Sequence, residues 1–504
     1  MSVLIIVYAF RGYEYASGDV VDVMAYAKHI INPDLYRYDF YVSHISAVIP
    51  NERFVFSHFL SLFGDALRFM PFVVHLVLTI FFLYGIYLFS SFYIKSDFLK
   101  WFLVLVLLGP LYKFNLGGNE LFYNMLIPSY AAKVLGLWAL IFYKKRLLLW
   151  TFLLLLFATF LHQTAGTQLF LIVLASEFLL WLFKGKQKYT GGDIAGFLIY
   201  GLIGVSYMFL VAKAVEDAGI STKLYFDIIK FRAAHHFFPQ FFPVKSYIVE
   251  LTLYLSGIFI MIKYRYYDLL RISIVIIAGL MLYLAGVEIF RIKMILNSQW
   301  FKTTIWLELF SLIAVFSYLE RKILKEYVKR IELPGLITIV FLSLVTGGMM
   351  LAGMEYFKQK HHEFFYGMNL TYEEKAGLDI KDKIPESAII IYPVEFTGFK
   401  IYSEKNVYVD FKSTVHRESA LVEWYKRIGE VYGIGIEDRK PGKDLFELAR
   451  ENYKHISISK LNGLYKKGVR YMVQYPDVQI DLPLIYDNSY FKVYKLKPSS
   501  NDSH

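Results

Sequence analysis

RGYEYASGDVVDVMAYAKHIINPDLYRYDFYVSHISAVIPNERFVFSHFL, residues 11–60, is the stretch that decides how the chain is read. It follows a short apolar N-terminus, VLIIVYAF at 3–10, and precedes a long series of apolar segments. It is too polar to span a bilayer and too rich in aromatics for a disordered tail. Ser17-Gly18-Asp19 precedes Val20, Val23, Met24, Ala27, Ile30 and Ile31, an apolar stripe at helical spacing that Asn32-Pro33 ends. Asp22, Tyr26 and His29 fall on the opposite face. A second amphipathic stretch, FVFSHFLSLFGDALRFM at 54–70, suits a helix lying in a membrane interface. Residues 11–70 therefore read as the first external loop of a polytopic membrane protein, carrying the carboxylate of its site.

Composition supports this reading. The chain of 504 residues is 56% hydrophobic and 18% aromatic, and only 19% of it is charged, against roughly 25% in a soluble globular protein. The net charge of +11 is spread in short cationic clusters between apolar runs, which points to loops held on the cytoplasmic side and excludes nucleic acid as a partner. There is no cysteine, so disulfides and thiolate metal sites are excluded. Segment 3–10 lacks the basic leader and small-residue cleavage site of a signal peptide.

A spanning helix needs about 20 apolar residues. Segments 71–94, 121–143, 194–216, 268–290 and 334–353 approach that length, and 101–112, 147–161, 167–183, 246–262 and 303–319 are shorter. With the N-terminal stub they make about eleven spans; the eight residues at 3–10 reach less than half of the hydrocarbon core and read as a truncated span. Cations cluster at Lys95 to Lys100, Lys144 to Arg146, Lys184 to Lys188, Lys263 to Arg271 and Arg321 to Arg330, while the alternate connections 113–120 and 162–166 have almost none. The basic set is thus cytoplasmic, and the loop 11–70 and everything after 354 lie outside. The expected architecture is a polytopic α-helical membrane domain over 1–353, an extracytoplasmic α/β domain over 354–497 and a disordered tail at 498–504. The α/β domain has strands at 388–394, 406–411 and 469–476 and helices at 420–433 and 444–453.

Several residues could carry chemistry. Asp19 reads either as a helix N-cap or as a general base at the membrane surface. Asp39, in LYRYDFY, is a second acid, or an exposed one paired with Arg37. Lys133 lies near the middle of a span, where a charge is costly, and reads as an anion ligand or as the partner of an acid. Glu120, after Asn115-Leu116-Gly117-Gly118-Asn119, is that acid or a second one in the site. Arg291, Lys293 and Lys302 stand at outer span ends, suited to a lipid phosphate or to plain interfacial anchoring. His235-His236, in FRAAHHFFPQFFP, suit hydrogen bonding to phosphate or sugar better than metal ligation, since adjacent residues do not share a helix face. His162 ends a span and reads as a substrate contact or a helix-terminal histidine. No cofactor motif is present; a divalent cation stays open.

The segment SGDVVDVMAYAKHI…DLYRYDFY directly after a first span, the further spans, and the soluble C-terminal region together resemble the GT-C superfamily of membrane glycosyltransferases. RAAHHFFP, NSQWFKTTIWLELF and KNVYVDFKSTVHRESALVEWYKRI resemble stretches of bacterial GT-C-like proteins without an assigned substrate. The resemblance implies inverting transfer of a sugar from a polyprenyl-phosphate carrier to a glycan, lipid or protein acceptor outside the cytoplasm. It places the base on Asp19, with Asp39 as alternate, and donor-phosphate binding on basic side chains, here Lys133, Arg291 and Lys302; Glu120, His162, His235 and His236 are the expected substrate contacts. These groups are expected to converge on one outward-facing cavity of a cell-membrane protein embedded among lipids. Two rivals are a transporter or flippase for a lipid-linked or small substrate and a polysaccharide polymerase or ligase. The first lacks an inverted repeat, and the second would need more arginines in loop 217–245 than Arg232.

Overall fold

The computed structural model describes residues 2–16, 18–109, 115–184, 189–321, 371–488 and 490–497. The described chain is mostly helical with one small sheet. It divides into two compact units: Met1–Tyr13, Phe72–Phe209 and Ala234–Lys360 form a helical unit, and Glu14–Pro71, Leu210–Ala233 and His361–His504 a mixed one. The sequence reading grouped 11–70 with the spans; by packing, residues 14–71 belong with the C-terminal segment.

Among the described residues six helices are long and apolar enough to cross a bilayer: Met70–Ser90, Gln163–Phe183, Gly191–Val215, Val244–Lys263, Tyr267–Ile289 and Lys293–Leu319. They support a membrane-embedded protein. Shorter helices at Asp97–Leu108 and Leu148–Leu161 correspond to the expected segments 101–112 and 147–161, and Ser2–Arg11 to the N-terminal stub. Segment 334–353 lies outside the described residues. The expected span 121–143 starts only at Pro128, because Gly117 and Gly118 take positive φ (80° and 57°) and the chain runs irregularly up to the proline that opens the helix. Val244–Lys263 and Thr304–Leu319 meet almost backbone to backbone, since a Cβ on Gly257 would lie 2.5 Å from Ser311 Cβ and 2.6 Å from its Cα.

The mixed unit holds a five-stranded sheet in the order β2-β1-β3-β5-β4. Its strands are β1 (Ile389–Ile391), β2 (Asn406–Val407), β3 (Val469–Gln474), β4 (Leu484–Asp487) and β5 (Lys492–Lys495). β1 runs parallel to β2 and β3; β5 runs antiparallel to β3 and β4. Ile390, Val407, Val473 and Val493 point into one core with Phe396 and Phe399. Helix Glu418–Tyr432 buries Trp424, whose indole donates to the Asp410 carbonyl at 2.9 Å, and Gly433 at φ 61° ends it. The expected strands and the helices at 420–433 and 444–453 are present in shortened or shifted form. Strands β4 and β5 and the helices Tyr372–Lys381, Phe399–Ser403 and Ile458–Lys466 add to them.

The first-loop stretch folds as the helices Val20–Ile31, Phe40–Ser46 and Phe54–Ser61. It closes the β2 edge: Val407 N–H donates to Asp39 Oδ2 (3.0 Å), Tyr38 N–H to Asn406 Oδ1 (2.9 Å) and Tyr36 OH to the Lys400 carbonyl (3.1 Å). The packed loop departs from the expected amphipathic pattern. Asp22 and Tyr26, read as the polar face of Val20–Ile31, are both buried.

Candidate functional site

A cluster of titratable groups in the mixed unit forms around Asp22. Asp19 stands at the N-cap position of Val20–Ile31, and Asp22 follows in the first turn, so the two share a face at i, i+3. Asp19 makes no capping hydrogen bond; its half-exposed carboxylate pairs with Lys412 Nζ at 3.2 Å. Asp22 is almost fully buried, and its Oδ1 has no hydrogen-bond partner among the described residues. Burial pushes the Asp22 carboxyl up to about 6; Arg53 and Ser413 oppose the rise, and the charges of Asp19 and Asp410 add to it.

Two guanidinium groups answer these acids. Arg53 opens helix Phe54–Ser61. Burial works against its charge, but the neighbouring Tyr41, Asp22, Glu52 and Asp19 hold its pKa above the ordinary value. Burial lowers that of Arg232, with Asp22 and Asp19 pulling the other way. Arg232 donates from Nη2 to the Lys412 carbonyl at 2.9 Å, while its buried Nε has no partner among the described residues. Behind them Asp410 is fixed by Tyr392 OH (2.8 Å) and by Lys412 N–H (2.7 Å). A half-exposed acid, a buried acid of raised pKa and two guanidiniums can deprotonate a hydroxyl and hold a phosphate. Sequence reasoning missed Arg53 and Lys412, noted Asp22 only as polar, and counted Arg232 only as too few arginines. The i, i+3 spacing of Asp19 and Asp22 was the signal available.

Asp39, the alternate base, has a different task. It is fully buried, accepts from Val42 N–H at the start of Phe40–Ser46, and pairs with the equally buried Lys400 at 2.7 Å. Neither exposure nor a pairing with Arg37 is observed; Arg37 lies over the Tyr38 ring instead. With Val42 N–H and Lys400 on Oδ1 and Val407 N–H on Oδ2, its oxygens are engaged in holding the first loop to the β2 edge.

The remaining residues singled out from the sequence belong to the helical unit. Lys133, almost fully buried, donates to Asn119 Oδ1 (2.7 Å) and to the Glu120 carbonyl. Glu120 in turn pairs with Arg11 at 2.6 Å, so the charge at Lys133 is tied to the irregular segment before its helix. Near this network Asn115 donates to Glu308 Oε2 at 3.4 Å. Glu308 Oε1 and both oxygens of the fully buried Glu250 have no hydrogen-bond partner among the described residues. His236 donates from Nδ1 to the Gly117 carbonyl at 2.7 Å, and His235 lies against it with ring centroids 4.0 Å apart. Lys302 gives its carbonyl to Asn119 (3.0 Å), which brings 115–120, His235, His236 and the Lys302 backbone together. Arg291 is exposed, at a left-handed φ of 51° where Tyr267–Ile289 ends. His162 accepts Ala165 N–H on Nδ1 at 3.2 Å and so caps Gln163–Lys184. Among the described residues no group of three or more His, Cys, Asp or Glu is placed to hold a metal ion.

Residues 373–431, which contribute Asp410, Lys412 and Ser413 to the cluster, match the family model of a domain of unknown function (DUF6798). No curated protein matches the chain.

Proposed function

We propose that the protein is a membrane glycosyltransferase that moves a sugar from a polyprenyl-phosphate-linked donor to an extracytoplasmic acceptor with inversion. The observation that carries the reading is the Asp19–Asp22 face set against Arg53 and Arg232. The resemblance to GT-C enzymes and the apolar helices are consistent with it. In this reading the chain has about eleven spans, counting 334–353, and the C-terminal unit lies outside the cytoplasm. The acceptor oxygen attacks the anomeric carbon and gives its proton to Asp19. The bond from that carbon to the phosphate oxygen breaks, and its electron pair leaves with the polyprenyl phosphate, whose charge Arg53 and Arg232 face. Asp22 touches neither reactant; it positions the arginines and sets the local charge.

The test uses the full chain in lipid nanodiscs with polyprenyl-phosphate hexoses, following release of polyprenyl phosphate. Asp19→Asn is expected to lower turnover by about 10²- to 10⁴-fold with the fold intact. Near-normal turnover in that variant rules Asp19 out as the base, and a donor panel left wholly unconsumed removes the transferase reading. One observation favours a transporter instead, namely the buried acids Glu250 and Glu308 among apolar helices. Substrate flux in proteoliposomes that survives Asp19→Asn and is lost in Glu308→Gln would select that alternative.

A further inference from the structure

A second site stands apart from the acid cluster and does not depend on the transferase reading. The mixed unit contains a cavity of about 320 Å³, walled by the first-loop helices on one side and by Tyr372–Lys381 and Phe399–Ser403 on the other. That volume lies in the small-ligand range of roughly 300–1,000 Å³. Lys28, Arg68 and Lys381 line it together with Glu404 and Asp65. Glu404 holds two of the cations at once, Lys28 at 2.6 Å through Oε1 and Lys381 at 2.8 Å through Oε2. Its own backbone is left-handed at φ 53°, a conformation that aims the side chain at these lysines from the end of Phe399–Ser403.

The rest of the wall is ring and hydrocarbon. Tyr15 and Tyr402 meet edge to face with centroids 6.3 Å apart, and the Arg68 guanidinium lies over the Tyr402 ring at 5.8 Å. Leu35, Leu67 and Leu378 complete it. Burial lowers the pKa of Lys28, and Lys381 and Arg68 lower it further, while Glu404 opposes them. The cations therefore repel one another across the cavity, and an added anion relieves that repulsion.

We propose that this cavity is a binding site for an anionic monosaccharide, one hexose unit carrying a carboxylate or a phosphate. The charged group meets Arg68 and Lys381, and the apolar face of the sugar ring lies on Tyr15 and Tyr402. Such a ligand has two sources, a uronate unit of an acidic glycan or a free sugar phosphate, and the measurement separates them.

The full chain in zwitterionic nanodiscs is titrated with glucuronic acid, glucose 6-phosphate, glucose and inorganic phosphate, read by calorimetry and saturation-transfer NMR. At least one anionic sugar is expected to bind about tenfold or more tightly than glucose and than inorganic phosphate, and less tightly as salt is added. Preference for glucuronic acid points to the glycan, and preference for glucose 6-phosphate to the sugar phosphate. Arg68→Gln and Lys381→Gln are each expected to weaken binding by about tenfold, while Asp19→Asn leaves it unchanged. No binding of either anionic sugar, glucose or phosphate binding equally well, or affinity unaltered in both folded variants overturns the proposal.

Discussion

Asp22 is an acid that the fold makes costly to ionise. Its carboxyl titrates near 6 in the folded chain, above its ordinary 3.8, so the folded state holds the proton more tightly than the unfolded one. Stability is therefore greatest below about pH 4 as far as this group goes, and falls as pH rises towards 6, by on the order of 3 kcal/mol. Asp22→Asn should flatten that decline and raise the apparent melting temperature at pH 7.5, as read by thermal unfolding across pH. In turnover the same group should show as an acidic limb near 6, present in wild type and absent in Asp22→Asn. A limb that persists unchanged would assign it to another acid. The Asp39–Lys400 pair makes the opposite case, because both groups are sealed and already matched. Asp39→Asn or Lys400→Met alone should cost about 3–5 kcal/mol by stranding a buried charge, whereas Asp39→Leu with Lys400→Met should recover much of it. Denaturant titration of the three variants distinguishes the outcomes.

Helix boundaries show where apolar length stops being informative. The run from 121 to 143 is apolar enough throughout, yet residues 121–127 continue the irregular stretch from 115 that places Asn119 and the Glu120 carbonyl at Lys133. A buried ammonium needs acceptors, and a continuous helix would have consumed the backbone carbonyl inside its own ladder. The crossing of Val244–Lys263 with Thr304–Leu319 depends on a single missing side chain. Gly257→Val forces the helices apart at Ser311 and should lower stability by roughly 1–3 kcal/mol. The readout is the apparent melting temperature in detergent; an unchanged value would mean that the crossing tolerates the added bulk. Strand β2 shows the same dependence on a neighbour, since its free edge is closed by Asp39 and Tyr38 from a remote part of the chain.

On the scale of the whole molecule, the cation pattern makes a topological prediction that the chain itself makes easy to check. With no native cysteine, single cysteines report sidedness against a clean background. Lys440→Cys, exposed in the C-terminal segment, should react with an impermeant maleimide in intact cells, and Lys263→Cys, exposed at the end of a span, only after permeabilisation. The reverse pattern would invert the orientation and remove the extracytoplasmic reaction with it.

Composition and the length of apolar runs determined, by themselves, a helical chain with membrane-length segments and a hydrophilic α/β C-terminal region, because burial of backbone in lipid leaves long apolar helices as the economical solution. Local patterning was also enough for the helices at Val20–Ile31 and Glu418–Tyr432 and for the heart of the sheet. Tertiary structure alone decided that residues 14–71 pack with the C-terminal segment, that Asp39 is a sealed ion-pair member, and that Asp22, Arg53, Arg232 and Lys412 share one neighbourhood. The physical reason is range. Periodicity and caps act within a few residues, whereas the field on a buried carboxylate is set by charges that arrive from 53, 232 and 410 along the chain.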